Sequence, residues 1–444
     1  MAESKPNISF IGLGAMGFGM ATNLVKRGYH VTGFDVWQPT LERFQAAGGS
    51  IATTPAEAVK DKDYCVCMVA TAQQAQDVLI EGNNPALPTL PKGATLLLCS
   101  TVPCGYVQGL EKQLAELGRA DIRLIDSPVS GGAARAADGT LSIMAGGSDD
   151  AIESGRFLLQ DMSDPKKLYI VKGGVGAGSN MKMCHQVLAA NQILAASEGL
   201  GFATHLGLDP HFASKGILKS DAWAWMFENR LPRMLDPEFK PVASALTIIL
   251  KDTSIITSEA RRAGFPTPMT STAEQVYFSG LGRGYGPDDD SSLIRLYTEG
   301  KGKIGPVKGS VESDEGKLAL VVGLLKGIYL CSAAESIAFA HRCNLDLDQV
   351  FDLCVNAAGG SAVLQAVGPE IIKLYRGEQL STGEGESFEE LARRLQEAVE
   401  EAQRLKAPVY LGSQALTLTR LVRQLAPAAA GNVSRAVVAK IWGL

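Results

Sequence analysis

Short apolar runs and amphipathic stretches alternate along the N-terminal part of the chain. Asn7–Gly12 and His30–Asp35 have the pattern of strands, and Met16–Arg27 and Thr40–Ala47 that of helices. Tyr64–Val69, Thr95–Cys99 and Arg123–Asp126 are further strand-like runs. Leu141–Ala145 and Leu168–Lys172 look like the last strands of this unit. Strands separated by helices predict an α/β unit, a parallel sheet with helices on both faces. The pattern changes near Gly173. GGVGAGSN is a glycine-rich hinge, and the chain beyond it is helical almost throughout, beginning with one long helix over Asn180–Leu206. A second polar, glycine-rich stretch, Thr298–Gly316, has the composition of a linker. The expected organisation is an α/β domain over 1–173, a helical domain over 174–300 and a second helical domain over 301–444.

The last two segments look alike. MKMCHQVLAANQILAASEGLGFATHLGLD (181–209) compares with LALVVGLLKGIYLCSAAESIAFAHRCNLD (318–346). Glu198 aligns with Glu335, Phe202 with Phe339, Ala203 with Ala340, Leu208 with Leu345 and Asp209 with Asp346. Further on, ARRAGFP (260–266) echoes AQRLKAP (402–408). A duplicated helical region is the expectation, and two unrelated helices of similar composition are the alternative.

The first strand runs into FIGLGAMG, where Gly12, Gly14 and Gly17 have the GxGxxG spacing at a strand-to-helix turn. Gly12 allows the tight turn, Gly14 lets backbone approach a pyrophosphate, and Gly17 permits close helix packing. The loop as a whole (Gly12, Leu13, Gly14, Ala15, Met16, Gly17) offers N–H groups and the positive end of a helix. Asp35 stands 21 residues after Gly14, at the end of the second strand. A carboxylate there accepts both ribose hydroxyls and repels a 2′-phosphate, which favours NAD over NADP. The N-terminal unit is therefore expected to be a Rossmann domain.

With that fingerprint in place, the order of the remaining motifs resembles the β-hydroxyacid dehydrogenases, which include 3-hydroxyisobutyrate and threonate dehydrogenases and have 6-phosphogluconate dehydrogenase as a relative. GLGAMG is followed by STVP (Ser100–Pro103), DSPVSGGAARAADGTLSIMAGG (Asp126–Gly147), GAGSNMKMCHQ (Gly176–Gln186) and LKDTSII (Leu250–Ile256). The resemblance spans residues 7 to about 297. It implies oxidation of a small hydroxy acid to the oxo acid. Ser130, Gly131 and Gly132 would hold the substrate carboxylate through a hydroxyl and exposed backbone N–H groups. Lys182 would be the catalytic lysine, a general acid/base that a dry pocket can hold neutral enough to accept the hydroxyl proton.

His185 and Gln186 share Lys182's helix face at i+3 and i+4, and are expected at the substrate. The family mostly carries asparagine where Gln186 stands. The KxxHQ form is most similar to the threonate branch, which points to a polyhydroxylated acid. Val69, Ala70 and Thr71, at the end of a strand, and Thr101 match cofactor-contacting positions. Lys251 and Asp252 match a lysine–aspartate pair by the nicotinamide. Trp223 and Trp225 would line the pocket or serve as core aromatics. In the second helical segment Ala319, Val322 and Gly323 replace Lys182, His185 and Gln186, so it cannot be a second active site. It is expected to act as a built-in partner, giving a monomer with an internal pseudo-dimer, or else a homodimer. The alternatives are 3-hydroxyisobutyrate or 6-phosphogluconate as substrate, or a non-enzymatic NAD-binding scaffold.

Composition narrows the partners. Net charge is only −5, with no basic tail, so nucleic acid is not expected. Apolar residues make up 46% of the chain, enough for large cores. The apolar stretch Leu318–Leu330 is short and interrupted by Lys326, and is expected to be a buried helix rather than a membrane span. MAESKPN has no signal-like character, which sets the expectation of a cytoplasmic protein. The eight cysteines contain no CxxC pair and the five histidines no HExxH spacing, so buried free thiols and no metal are expected.

Overall fold

The computed structural model describes residues 5–298, 313–379, 385–425 and 433–443. The chain forms two compact units, Met1–Lys182 and Met183–Leu444.

In the first unit, β1 (Asn7–Ile11), β2 (His30–Phe34), β3 (Ser50–Ile51), β4 (Tyr64–Cys67), β5 (Thr95–Leu98) and β6 (Arg123–Asp126) form one sheet in the order β3-β2-β1-β4-β5-β6. All the pairings are parallel. The helices between them are α1 (Gly17–Lys26), α2 (Gln38–Ala46), α3 (Pro55–Val59), α4 (Ala72–Gln76) and α5 (Cys104–Glu116). The buried strands are apolar on both faces. One core holds Ile8, Phe10 and Val66, and the other holds Ile11, Cys65 and Cys67. This is the doubly wound dinucleotide-binding order, and its switch point lies between β1 and β4.

The last strands depart from expectation. Val129–Ser130 (β7), Leu141–Ala145 (β8) and Ser163–Ile170 (β9) form a separate three-stranded sheet, β7-β8-β9, in which β7 is antiparallel to β8. Helices α6 (Gly132–Asp138) and α7 (Asp149–Met162) join them. Strand β9 starts earlier than its apolar residues predict. Its first half, SDPKK, is polar and contains Pro165, and an edge strand tolerates both.

Helix α8 (Ala177–His205) follows the glycine-rich turn, and the boundary between the units falls inside it. The second unit continues with α9 (Pro210–Lys219), α10 (Trp225–Met234), α11 (Leu246–Arg262), α12 (Pro268–Gly282) and α13 (Arg295–Thr298). Then come α14 (Asp314–Arg342), α15 (Leu347–Asn356), α16 (Ala362–Tyr375), α17 (Phe388–Leu405) and α18 (Tyr410–Leu425). Both described ends of the expected linker, Thr298–Gly316, belong to helices: Thr298 ends α13, and Ser313 caps α14 by accepting from the Gly316 N–H. Residues 299–312 lie outside the described residues. Helix α14 is long and apolar enough to cross a membrane, yet 83% of its 18-residue apolar stretch is buried inside the protein. Its Lys326 is buried and ion-paired with Asp221 and with Glu386 at 2.6 Å.

Among the contacts that cross between the earlier and later helices of this unit, two sets are reciprocal. Glu198 of α8 accepts the N–H groups of Leu411 (3.0 Å) and Gly412 (2.8 Å), at the start of α18. Glu335 of α14 accepts those of Met269 (2.8 Å) and Thr270 (2.9 Å), at the start of α12. A carboxylate at a helix N-terminus satisfies orphan donors and the helix dipole together. At the starts of α10 and α16, Trp225 N donates to Gly360 O and Ala362 N to Trp223 O, around an antiparallel bridge between Ala224 and Ser361. The interval separating Ala224 from Ser361 is the one separating Glu198 from Glu335.

Candidate active site

The glycine loop has three different geometric requirements. Gly12 has φ of +93°, and a Cβ there would lie 2.2 Å from the Met68 carbonyl oxygen. At Gly17 a Cβ would lie 2.0 Å from the Gly12 carbonyl oxygen. At Gly14 nothing lies within 4 Å of a Cβ, so the surface stays open where a pyrophosphate would approach. Met16 gives α1 no side-chain cap, and the first turn carries no acid. These residues fit a dinucleotide. Asp35 closes the loop: its Oδ2 accepts the Leu13 N–H at 2.7 Å and its Oδ1 the Trp37 N–H at 2.8 Å. A cleft of about 310 Å³ is lined by Leu13, Gly14, Ala15, Phe18, Thr40 and Arg43, among others. Arg43 stacks over the Phe18 ring at 4.5 Å.

Val69 follows β4, and its N–H donates to Ser100 Oγ at 2.8 Å, tying it to the loop that carries Thr101. Thr71 caps α4 by accepting from the Gln74 N–H. Ser130 ends β7, and Gly131 and Gly132 turn the chain into α6 with φ of +144° and +75°. The left-handed backbone favours glycine at both positions, and both glycines are exposed.

Asp126, at the end of β6, is fully buried. Its Oδ2 accepts the Ser179 N–H and its Oδ1 the Ser179 hydroxyl, each at 2.7 Å. Burial pushes this carboxyl up to about 6, while the Ser179 N–H and hydroxyl pull the other way. Sheet and helix are thereby pinned one turn before Lys182, which is 5% exposed.

Further along α8, His185 is fully buried and Gln186 nearly so. His185 Nδ1 lies 2.9 Å from Gln186 Oε1, and Gln186 Nε2 donates to Asp252 Oδ2 at 2.5 Å. Asp252 belongs to α11, as does Lys251, whose Nζ lies 3.2 Å from Asp252 Oδ1. Four expected site residues thus form one cluster.

Two family models match the chain. One is described as the NAD binding domain of 6-phosphogluconate dehydrogenase and covers residues 7–174. The other is described as NAD-binding of NADP-dependent 3-hydroxyisobutyrate dehydrogenase and covers 176–297. The L-threonate dehydrogenase of Cupriavidus necator is 37% identical over 291 residues, 66% of this chain and 96% of that enzyme. The chain belongs to the β-hydroxyacid dehydrogenase family.

Membership makes this β-hydroxyacid dehydrogenase an oxidoreductase with a nicotinamide-cofactor domain. A crystal structure of 3-hydroxyisobutyrate dehydrogenase from Salmonella typhimurium is 30% identical, with a TM-score of 0.60, covering 66% of this chain and all of that one. The 6-phosphogluconate dehydrogenase of Plasmodium falciparum matches 94% of this chain and 92% of its own, also with a TM-score of 0.60. At 15% identity that likeness is one of fold, and it extends through the later helices.

Sequence reasoning missed two features of this dehydrogenase. Asp126 and Ser179 each lie in a quoted motif, but their pairing spans 53 residues and leaves no local trace. Arg43 belongs to no motif, and α2 places it in the cleft beside the glycine loop. Trp223 and Trp225 flank the Ala224 bridge, and Trp223 Nε1 donates to Glu228 at 2.8 Å.

Proposed function

We propose that the chain oxidises a small polyhydroxylated acid of the L-threonate class with NAD, using Lys182 as general acid/base. One observation carries this reading. Helix α8 buries a lysine, a histidine and a glutamine at i, i+3 and i+4, in surroundings where uncompensated polar groups are costly. A bound NAD would supply the acceptor for the hydride that leaves the carbinol carbon. Lys182 Nζ accepts the proton leaving the hydroxyl and returns it in the reverse direction. The Ser130 hydroxyl and the N–H groups of the Gly131–Gly132 turn hold the carboxylate. His185 and Gln186 offer polar contacts to a second hydroxyl, which a methyl-bearing acid lacks; a site built for a hydroxyl rejects analogues without one.

Asp35 supports NAD, since each carboxylate oxygen keeps a lone pair for a ribose hydroxyl after accepting its backbone N–H. NADP is the second reading, and Arg43 in the cleft favours it, because a guanidinium suits a phosphate. Val69–Thr71, Thr101, Lys251 and Asp252 are proposed to serve the cofactor.

The later helices are proposed to be a degenerate second copy of the first helical domain, acting as a built-in partner. The reciprocal Glu198 and Glu335 contacts support this. In a two-fold interface residue i meets j while j meets i, and here both halves belong to one chain.

The test is NADH formation with L-threonate, D-glycerate, 3-hydroxyisobutyrate, tartrate and 6-phosphogluconate, each with NAD and NADP. Turnover of L-threonate with NAD is expected. Preference for 3-hydroxyisobutyrate or 6-phosphogluconate would overturn the substrate class, preference for NADP the cofactor. NADH binding without turnover of any acid would favour a scaffold.

A further inference from the structure

We propose that Asp252 is a positioning residue that sets the tautomer of His185 through Gln186. This role rests on the proposed reading of α8 as the catalytic helix, and it follows from donor and acceptor chemistry. A carboxylate oxygen only accepts, so the side-chain atom of Gln186 facing Asp252 Oδ2, at 2.5 Å, is the amide nitrogen. The amide oxygen is then turned to His185 Nδ1, at 2.9 Å. An amide oxygen cannot donate, so Nδ1 must carry the proton. In the neutral ring the lone pair then sits on Nε2.

Asp252 can impose this direction because its two oxygens have separate tasks. Lys251 Nζ lies 3.2 Å from Oδ1, leaving Oδ2 to Gln186. Glutamine suits position 186 for the same reason. Its side chain reaches Asp252 on α11 while its oxygen stays against the neighbouring histidine, and asparagine is one methylene shorter. The consequence concerns specificity. A neutral His185 presents an acceptor at Nε2, so it takes a hydrogen bond from a substrate hydroxyl rather than giving one to a carbonyl. Asp252 itself need not touch the substrate.

The test is a long-range proton–nitrogen correlation spectrum of the full chain labelled with ¹⁵N-histidine, without cofactor or substrate, at a pH where the ring is neutral. His185 is assigned by comparison with His185→Asn. The expected result is a single Nδ1–H tautomer in the wild type and a mixed or reversed tautomer in Asp252→Asn, whose amide can turn either way. An Nε2–H tautomer in the wild type would overturn the proposal, and so would an unchanged Nδ1–H ring in Asp252→Asn. An Nε2–H ring in the wild type overturns the proposal even if the variant does not fold. Because the spectrum is read without substrate or turnover, failure of the substrate reading stays distinguishable from failure of the tautomer. In turnover, Asp252→Asn is expected to lower kcat/KM for the hydroxy acid by up to roughly a hundredfold.

Discussion

Glu198 and Glu335 stand at matching turns of the two longest helices, and each accepts the backbone N–H groups that open a helix from the other half of the unit. Removing either carboxylate orphans two buried donors, at about 1–3 kcal/mol per group. Glu198→Ala and Glu335→Ala are each expected to lower the Tm by several degrees, with changes of similar size because the contacts are equivalent. Calorimetry checks this.

The same pair sets a pH dependence. Burial raises both carboxyls from an ordinary 4.5 to about 7, against the backbone donors that lower them. A carboxyl whose folded value is raised contributes stability that is complete below the unfolded value and lost as pH rises through the folded one. The Tm is therefore expected to fall as pH rises from about 5 to about 8. Glu198→Gln and Glu335→Gln keep an acceptor but cannot titrate, and should each flatten that slope.

Asp126 anchors the first turn of α8 through Ser179. Asp126→Ala leaves the Ser179 N–H and hydroxyl unmatched, so amide hydrogen exchange at the start of α8 should accelerate while the β1–β2 ladder stays protected. Unchanged exchange at Ser179 would show that the turn holds without its carboxylate.

The glycine loop separates folding from binding. Gly12→Ala forces a Cβ against the Met68 carbonyl at a positive φ, so a loss of thermal stability is expected. Gly14→Ala meets nothing within the protein. It should keep the wild-type Tm while the Kd for NADH, read by fluorescence, rises at least tenfold, about 1.4 kcal/mol.

Much of this was legible in the chain. The strand and helix order of the first unit follows from its alternating pattern, and the glycine loop from its spacing. The predicted strands overran by a residue or two at Gly12, Asp35 and Val69, where the chain leaves the sheet for functional turns. The separate β7-β8-β9 sheet was not legible, because a short buried run such as Leu141–Ala145 gives no sign of its partner. The Asp252–Gln186–His185 chain was hidden for the same reason: α11 is brought to α8 by packing, and sequence distance carries no record of that. Glu198 and Glu335 align in the sequence, but their exchanged helix starts emerge only from the fold.

The role of Lys182 is tested by steady-state turnover of L-threonate with NAD by Lys182→Ala, alongside the variant's affinity for NADH. A fall in kcat of about 10²–10⁴-fold, the range for loss of a general acid/base, is expected with NADH affinity unchanged. A kcat within a few-fold of wild type would contradict that role.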